Sequence, residues 1–218
     1  MRTKKFMLVA IAICLTACTD LTPEIDEMLY EAITEDSSSS SSSSTSASYV
    51  DLGLSVKWAT CNIGASKASD YGNFYAWGEV STKSSYTSSN CDTYGSSISD
   101  YSGNSTYDVA TKLLGSHWRT PTQDEAKELA DECTWTWTTM NSINGYKVTG
   151  PNGNYIFIPA AGWKSSTSTT TQGSTGSYWM STPISTSTAY NIYFSSGAHR
   201  VESATKWHGH TVRAVYDK

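Results

Sequence analysis

One stretch of this chain reads as a helix, and nearly everything around it reads as short strands. Thr122 and Glu125 form a capping box, and Thr120 with Gln123 forms a competing one. Ala126, Leu129, Ala130 and Cys133 then recur at i, i+3, i+4 and i+7, which predicts a helix over about 122–133 with one buried face. A chain with one clear helix in its middle must bury most of its apolar residues in sheets.

The strand signals are numerous. Val50, Leu52, Leu54, Val56 and Trp58 alternate with polar or small residues, Gly53 interrupting, which predicts a hairpin or bent strand pair. Asn73–Trp77 reads as an aromatic strand, and Asp108–Leu114 as a helical turn ended by Gly115. Residues 81–107 are a Ser, Tyr, Asn and Gly stretch without periodicity, expected to form a long surface excursion. Trp135 and Trp137 fall on one side of an extended segment. Tyr146–Val148 and Tyr155–Ile158 are joined by Gly150-Pro151-Asn152-Gly153, strong turn chemistry for a β-hairpin. Tyr178–Met180, Tyr190–Phe194, Ala198–Val201 and Val212–Tyr216 complete an antiparallel set.

Ahead of this domain the chain changes character. Arg2, Lys4 and Lys5 precede the uncharged apolar run Phe6–Leu15, which is shorter than the ~20 residues a membrane-spanning helix needs. Residues 1–17 therefore read as a cleaved signal, and Leu15-Thr16-Ala17-Cys18 resembles a bacterial lipobox, which implies lipidation of Cys18. Durable tethering takes two or three acyl chains, since one gives a binding constant of only about 10⁴ M⁻¹. Residues 18–48 then hold a short amphipathic helix over 22–35 and the serine tract Ser37–Ser44. Such a linker spans about 30 Å as a random coil, enough to hold a domain (49–218) off its membrane.

Formal net charge is −5, and losing the three basic and no acidic residues of 1–17 takes it to −8. That sign excludes nucleic acid as the expected partner and disfavours docking on anionic lipid. Only 16% of residues are charged, against eight Trp and fourteen Tyr. Hydroxyls and aromatics, more than ion pairs, must cover such a surface.

The motifs of the domain are also familiar. Val50-Asp51-Leu52-Gly53-Leu54-Ser55-Val56-Lys57-Trp58-Ala59-Thr60-Cys61-Asn62-Ile63-Gly64-Ala65 resembles the opening of the Fibrobacter succinogenes major paralogous domain family. Asp70-Tyr71-Gly72, Ala76-Trp77-Gly78-Glu79, Trp118–Thr122, Ile158–Gly162, Tyr178-Trp179 and Val212–Val215 follow in the family's order. The resemblance covers residues 49–218 and implies a lipoprotein of Bacteroidetes type with an α+β, C-type lectin-like fold: a twisted antiparallel sheet, one main helix (about 122–133) and long loops.

Neither Glu-Pro-Asn or Gln-Pro-Asp nor Trp-Asn-Asp occurs, so the calcium cage of lectins of that fold is not expected, and no other cofactor is. Trp118–Glu125 and Val212–Val215 also resemble sulfatase-modifying factors, whose activity needs cysteines near the C-terminus. This chain has none after Cys133. No Gly-x-Ser-x-Gly elbow and no His-Glu-x-x-His helix is present, so the chain is not expected to be an enzyme. His208 and His210 are the one metal-ligating pair to weigh, with His199 or Glu202 as further ligands, against a plain surface loop before the last strand. Cys61 and Cys133 either form a disulfide, closing a ~70-residue loop worth up to ~4 kcal/mol, or are small buried hydrophobes. Cys91 is the expected odd thiol.

The expected function is a cell-envelope lipoprotein, tethered to the outer membrane and displaying a calcium-independent, non-catalytic module that binds a glycan or a surface protein. The alternative is a structural or envelope-assembly lipoprotein acting through protein contacts. For the binding role, residues 81–107 and 163–177 are the expected ligand loops, with Trp163 and Tyr178 at their rims.

Overall fold

The computed structural model of the protein describes residues 47–218. The expected signal, Cys18, the helix expected over 22–35 and the serine tract lie outside the described residues. Within them, Gly, Pro, Asn and Ser punctuate the chain so often that its alternating segments stay short. In chain order the elements are β1 (Tyr49–Val50), β2 (Lys57–Ala59), a 3-10 turn at Ser88–Asn90, α1 (Val109–Leu114), β3 (Trp118–Arg119) and α2 (Gln123–Glu132). There follow β4 (Thr134–Met140), β5 (Ile143–Thr149), β6 (Tyr155–Pro159), β7 (Trp163–Ser165), β8 (Ser168–Thr170), β9 (Thr175–Pro183), β10 (Thr188–Ser195), β11 (Ala198–Thr205) and β12 (Val215–Tyr216).

These strands make separate sheets, ordered β1-β2-β12-β3, β11-β10-β9, β4-β5-β6 and β7-β8, with antiparallel neighbours throughout. The α+β, C-type lectin-like expectation is thereby corrected. Helix makes up only about 11% of the structure, and four small sheets replace the single twisted one, so the protein is mainly β. The reason is physical: only residues 123–132 sustain a 3.6-residue period, while α1 stops after six residues at Gly115. Asn73–Trp77, expected as a strand, contributes only a bridge between Tyr75 and His210.

The helix itself forms as expected. Thr122 accepts from the Glu125 backbone N–H, and Glu125 returns a bond to the Thr122 N–H. The competing box does not form, because Thr120 Oγ1 donates to Asp108 and the Gln123 N–H goes to Thr182. Ala126 and Leu129 are fully buried, and Cys133 is the C-cap. The β5–β6 hairpin also forms, with its turn around 150–154. A side chain at Gly150 would strike the Leu52 carbonyl at 2.0 Å, so only glycine lets the 51–53 segment lie across this turn. Asn152 and Asn154 both donate to the Asp51 carbonyl from the other side.

Strand β9 joins two cores. Tyr178 and Met180 point into a cluster with Leu52, Trp58, Leu129, Ile156 and Phe194. Trp179, on the opposite face, enters a second cluster with Tyr75, Trp77, Trp118 and Val212. A strand buried on both faces cannot slip by one residue without exchanging these partners.

Arg213 fastens the two ends of the described chain. Its buried guanidinium donates to Asn62 Oδ1 and to the carbonyls of Ala59, Thr60 and Phe157, at 2.7–2.9 Å. Asn62 in turn donates to the Tyr71 carbonyl and the Tyr178 hydroxyl. The Cys61-Asn62-Ile63 and Val212-Arg213-Ala214 motifs thus meet as one buried polar joint.

Candidate ligand-binding face

The two loops marked from the sequence meet. Tyr86 and Ser166 exchange both backbone hydrogen bonds, at 2.9 and 2.8 Å, which ties the 81–107 excursion to the β7–β8 hairpin. The excursion is less free than its composition suggests, since Tyr86, Cys91, Thr93 and Tyr101 are all buried. Next to this junction Lys164 and Gly209 exchange a second pair of bonds, at 2.7 and 2.9 Å. Gly209 has to be glycine, because a Cβ there would lie 2.8 Å from the Tyr86 ring. On its other side the 206–210 segment is held by Tyr75–His210 and Trp77–Lys206 backbone bonds.

This stitching gathers aromatic rings. The Trp163 ring lies 4.6 Å from His208, and Trp207 meets His208 edge-on at 4.2 Å. All three are only partly buried. His208 stacks loosely on His210 at 6.0 Å, and His210 stacks on Trp179 at 4.1 Å and 9°. His210 Nδ1 lies 2.8 Å from Ser177 Oγ, which also accepts from Asn191 Nδ2. Burial pushes both histidines below their ordinary value, His210 well below, with His208 adding to the effect. At neutral pH the face presents uncharged imidazole.

Under the face sits Lys206, wholly buried, its ammonium 4.1 Å from the centre of the Trp77 ring. Burial lowers its pKa. Cys91 packs beside it, its thiol 3.7 Å from the Lys206 carbonyl.

Several sequence expectations need correction. Trp163 is at the rim, but Tyr178 is not. It is 1% exposed, donates to the Pro159 carbonyl and accepts from Asn62, because an inward β9 position places it in the core. His208 and His210 do come together, yet His199 and Glu202 do not join them. His199 stacks on Trp135 at 4.5 Å, and Glu202 pairs with Arg200. Among the described residues no three His, Cys, Asp or Glu are placed to hold a metal ion. Cys61 and Cys133 are free thiols: one follows β2 beside Thr60, and the other caps α2 against the first core. Burial raises the Cys133 pKa to about 11, helped by Glu128 and Glu132. Cys91, expected in an exposed loop, is buried.

Trp207 was missed, although it adjoins the His208-Gly209-His210 pair that drew attention. The Ser177–His210 bond carried no sequence signal, since its partners lie 33 residues apart.

A family model described as Domain of unknown function (DUF8237) matches residues 94–215, more than half of the 218-residue chain. No curated protein and no solved structure matches it.

Proposed function

The chain belongs to the family of the domain of unknown function DUF8237, and from that premise we propose that it is a non-catalytic binding module whose ligand rests on Trp163, His208 and Trp207. The observation that carries this reading is the convergence of the 81–107 excursion, the β7–β8 hairpin and the 206–210 segment on one partly exposed aromatic cluster. Rings offered at the edge of a rigid β scaffold are a common basis for recognition. The Ser177–His210 pair resembles a nucleophile and base, but both groups are buried and stitched into the sheet, so we assign it a supporting role.

The resemblance to the Fibrobacter succinogenes paralogous domains and the lipobox at Cys18 support display from a cell envelope by a lipid anchor. Among the described residues no helix is long and apolar enough to cross a membrane.

The test uses the full chain and a panel of glycans and envelope proteins, with binding read by melting temperature and by calorimetry. A ligand that stabilises the parent and is lost on Trp163→Ala supports the proposal. A ligand that Trp163→Ala and Trp207→Ala both bind as tightly as the parent contradicts it.

A further inference from the structure

Beyond the Trp163 cluster, the protein carries a second apolar station. Tyr94 and Ile184 are 37% and 44% exposed, and Leu113, at 56%, is the other large hydrophobic that stands out to this degree. The two are neighbours through the backbone: Gly95 N–H donates to the Thr186 carbonyl at 2.9 Å. The station is joined to the first by Lys206. Its N–H donates to the Ser187 carbonyl at 3.0 Å, its ammonium lies 3.5 Å from the Ser96 carbonyl, and the next residue is Trp207. Trp163, His208, Trp207, Tyr94 and Ile184 thus form one linked series of surface positions.

The chemistry beside the second station is rich in hydroxyls. Ser96, Ser97, Ser185 and Thr186 are exposed beside Tyr94 and Ile184. The nearby ions that reach solvent are mainly acidic: Lys83 pairs with the buried Glu79 and Lys206 is buried, while Asp92 and Asp100 are exposed, Asp100 accepting from the Thr182 hydroxyl. Aromatic rings flanked by hydroxyls and carboxylates, which bond well to sugar hydroxyls, suit a molecule with apolar C–H faces and hydroxyl edges. These exposed carboxylates and the net charge of −5 repel an acidic polymer.

Resting on the binding role of Trp163, we propose that the ligand is a neutral glycan chain, and that Tyr94 and Ile184 form a second subsite along it. Two separated stations demand a polymer, because one sugar ring covers only one of them.

The full chain, kept in a sugar-free detergent, is titrated with neutral glucans, mannans and xylans and with oligosaccharides of increasing length prepared from any that bind. Affinity is expected to climb with length. Tyr94→Ala should weaken the longest chains about tenfold and leave the shortest bound fragment unchanged, while Trp163→Ala weakens both. Tyr94 is exposed, so its variant keeps the parent melting temperature. Affinity independent of length, or a silent Tyr94→Ala, overturns the second subsite while leaving the Trp163 face in place. Binding only to acidic polymers or to proteins overturns the neutral glycan. A glycan bound equally well by Trp163→Ala overturns the face itself and everything built on it.

Discussion

Ser177 Oγ stands 2.8 Å from His210 Nδ1, both side chains are buried, and the His210 ring stacks on Trp179. This bond pins the segment that carries Trp207 and His208 to strand β9, and so links the proposed recognition face to the core.

A pH dependence follows. His210 and His208 have folded pKa values below the ordinary 6.5, mainly through burial. The unfolded chain therefore binds more protons than the folded one below pH ~6.5, and stability falls as pH drops from there toward the folded values. Melting temperature should be level above about pH 7 and decline below about pH 6.5. His210→Gln should flatten part of that decline relative to the parent. A His210→Gln profile parallel to the parent's would remove His210 from the account.

Arg213 is expected to matter far more than an exposed arginine. Arg213→Ala strips donors from Asn62 and three buried carbonyls, at a cost of about 3–5 kcal/mol. Arg213→Lys should rescue little, since one ammonium cannot span the same four acceptors. Arg200→Ala, which removes a surface pair with Glu202, should cost about 0–1 kcal/mol. Urea midpoints of the three variants decide the matter, and equal losses for Arg213 and Arg200 would refute the joint.

The two overlapping capping boxes can be separated by substitution. Thr122→Ala should cost about 1 kcal/mol through the lost cap. Thr120→Ala should cost at least as much for a different reason, since its hydroxyl donates to the buried carboxylate of Asp108. Chemical denaturation reads both losses, and a neutral Thr122→Ala would mean that Thr122 does not cap the helix.

The cysteines supply a simple check. Cys61, Cys91 and Cys133 are free, so reductant should leave the melting temperature unchanged. Alkylation of the native protein should reach Cys61 and Cys133 before Cys91, which is the most buried of the three. A peptide linking Cys61 to Cys133 in non-reducing mass spectrometry would contradict the arrangement.

What could be read from the sequence was local. The helix after Thr122 and the hairpin through Gly150-Pro151-Asn152-Gly153 announce themselves by periodicity and turn chemistry. The separation into four sheets does not, because strand pairing is decided by contacts between distant residues, such as Val215 with both Trp58 and Arg119. The site divides in the same way. Trp163 and the His208–His210 pair drew attention by residue type, while Tyr178 misled because alternation along β9 does not say which face has a second core above it. The pairing of Tyr86 with Ser166, across 80 residues, is what turns two marked loops into one face.

The most direct measurement is calorimetric titration of the full chain and of Trp163→Ala with whichever panel member stabilises the parent. The account predicts at least about a tenfold loss of affinity in the variant with an unchanged melting temperature in the absence of ligand. Equal affinities in the two proteins would contradict it, and would move the binding role away from the Trp163–His208–Trp207 face.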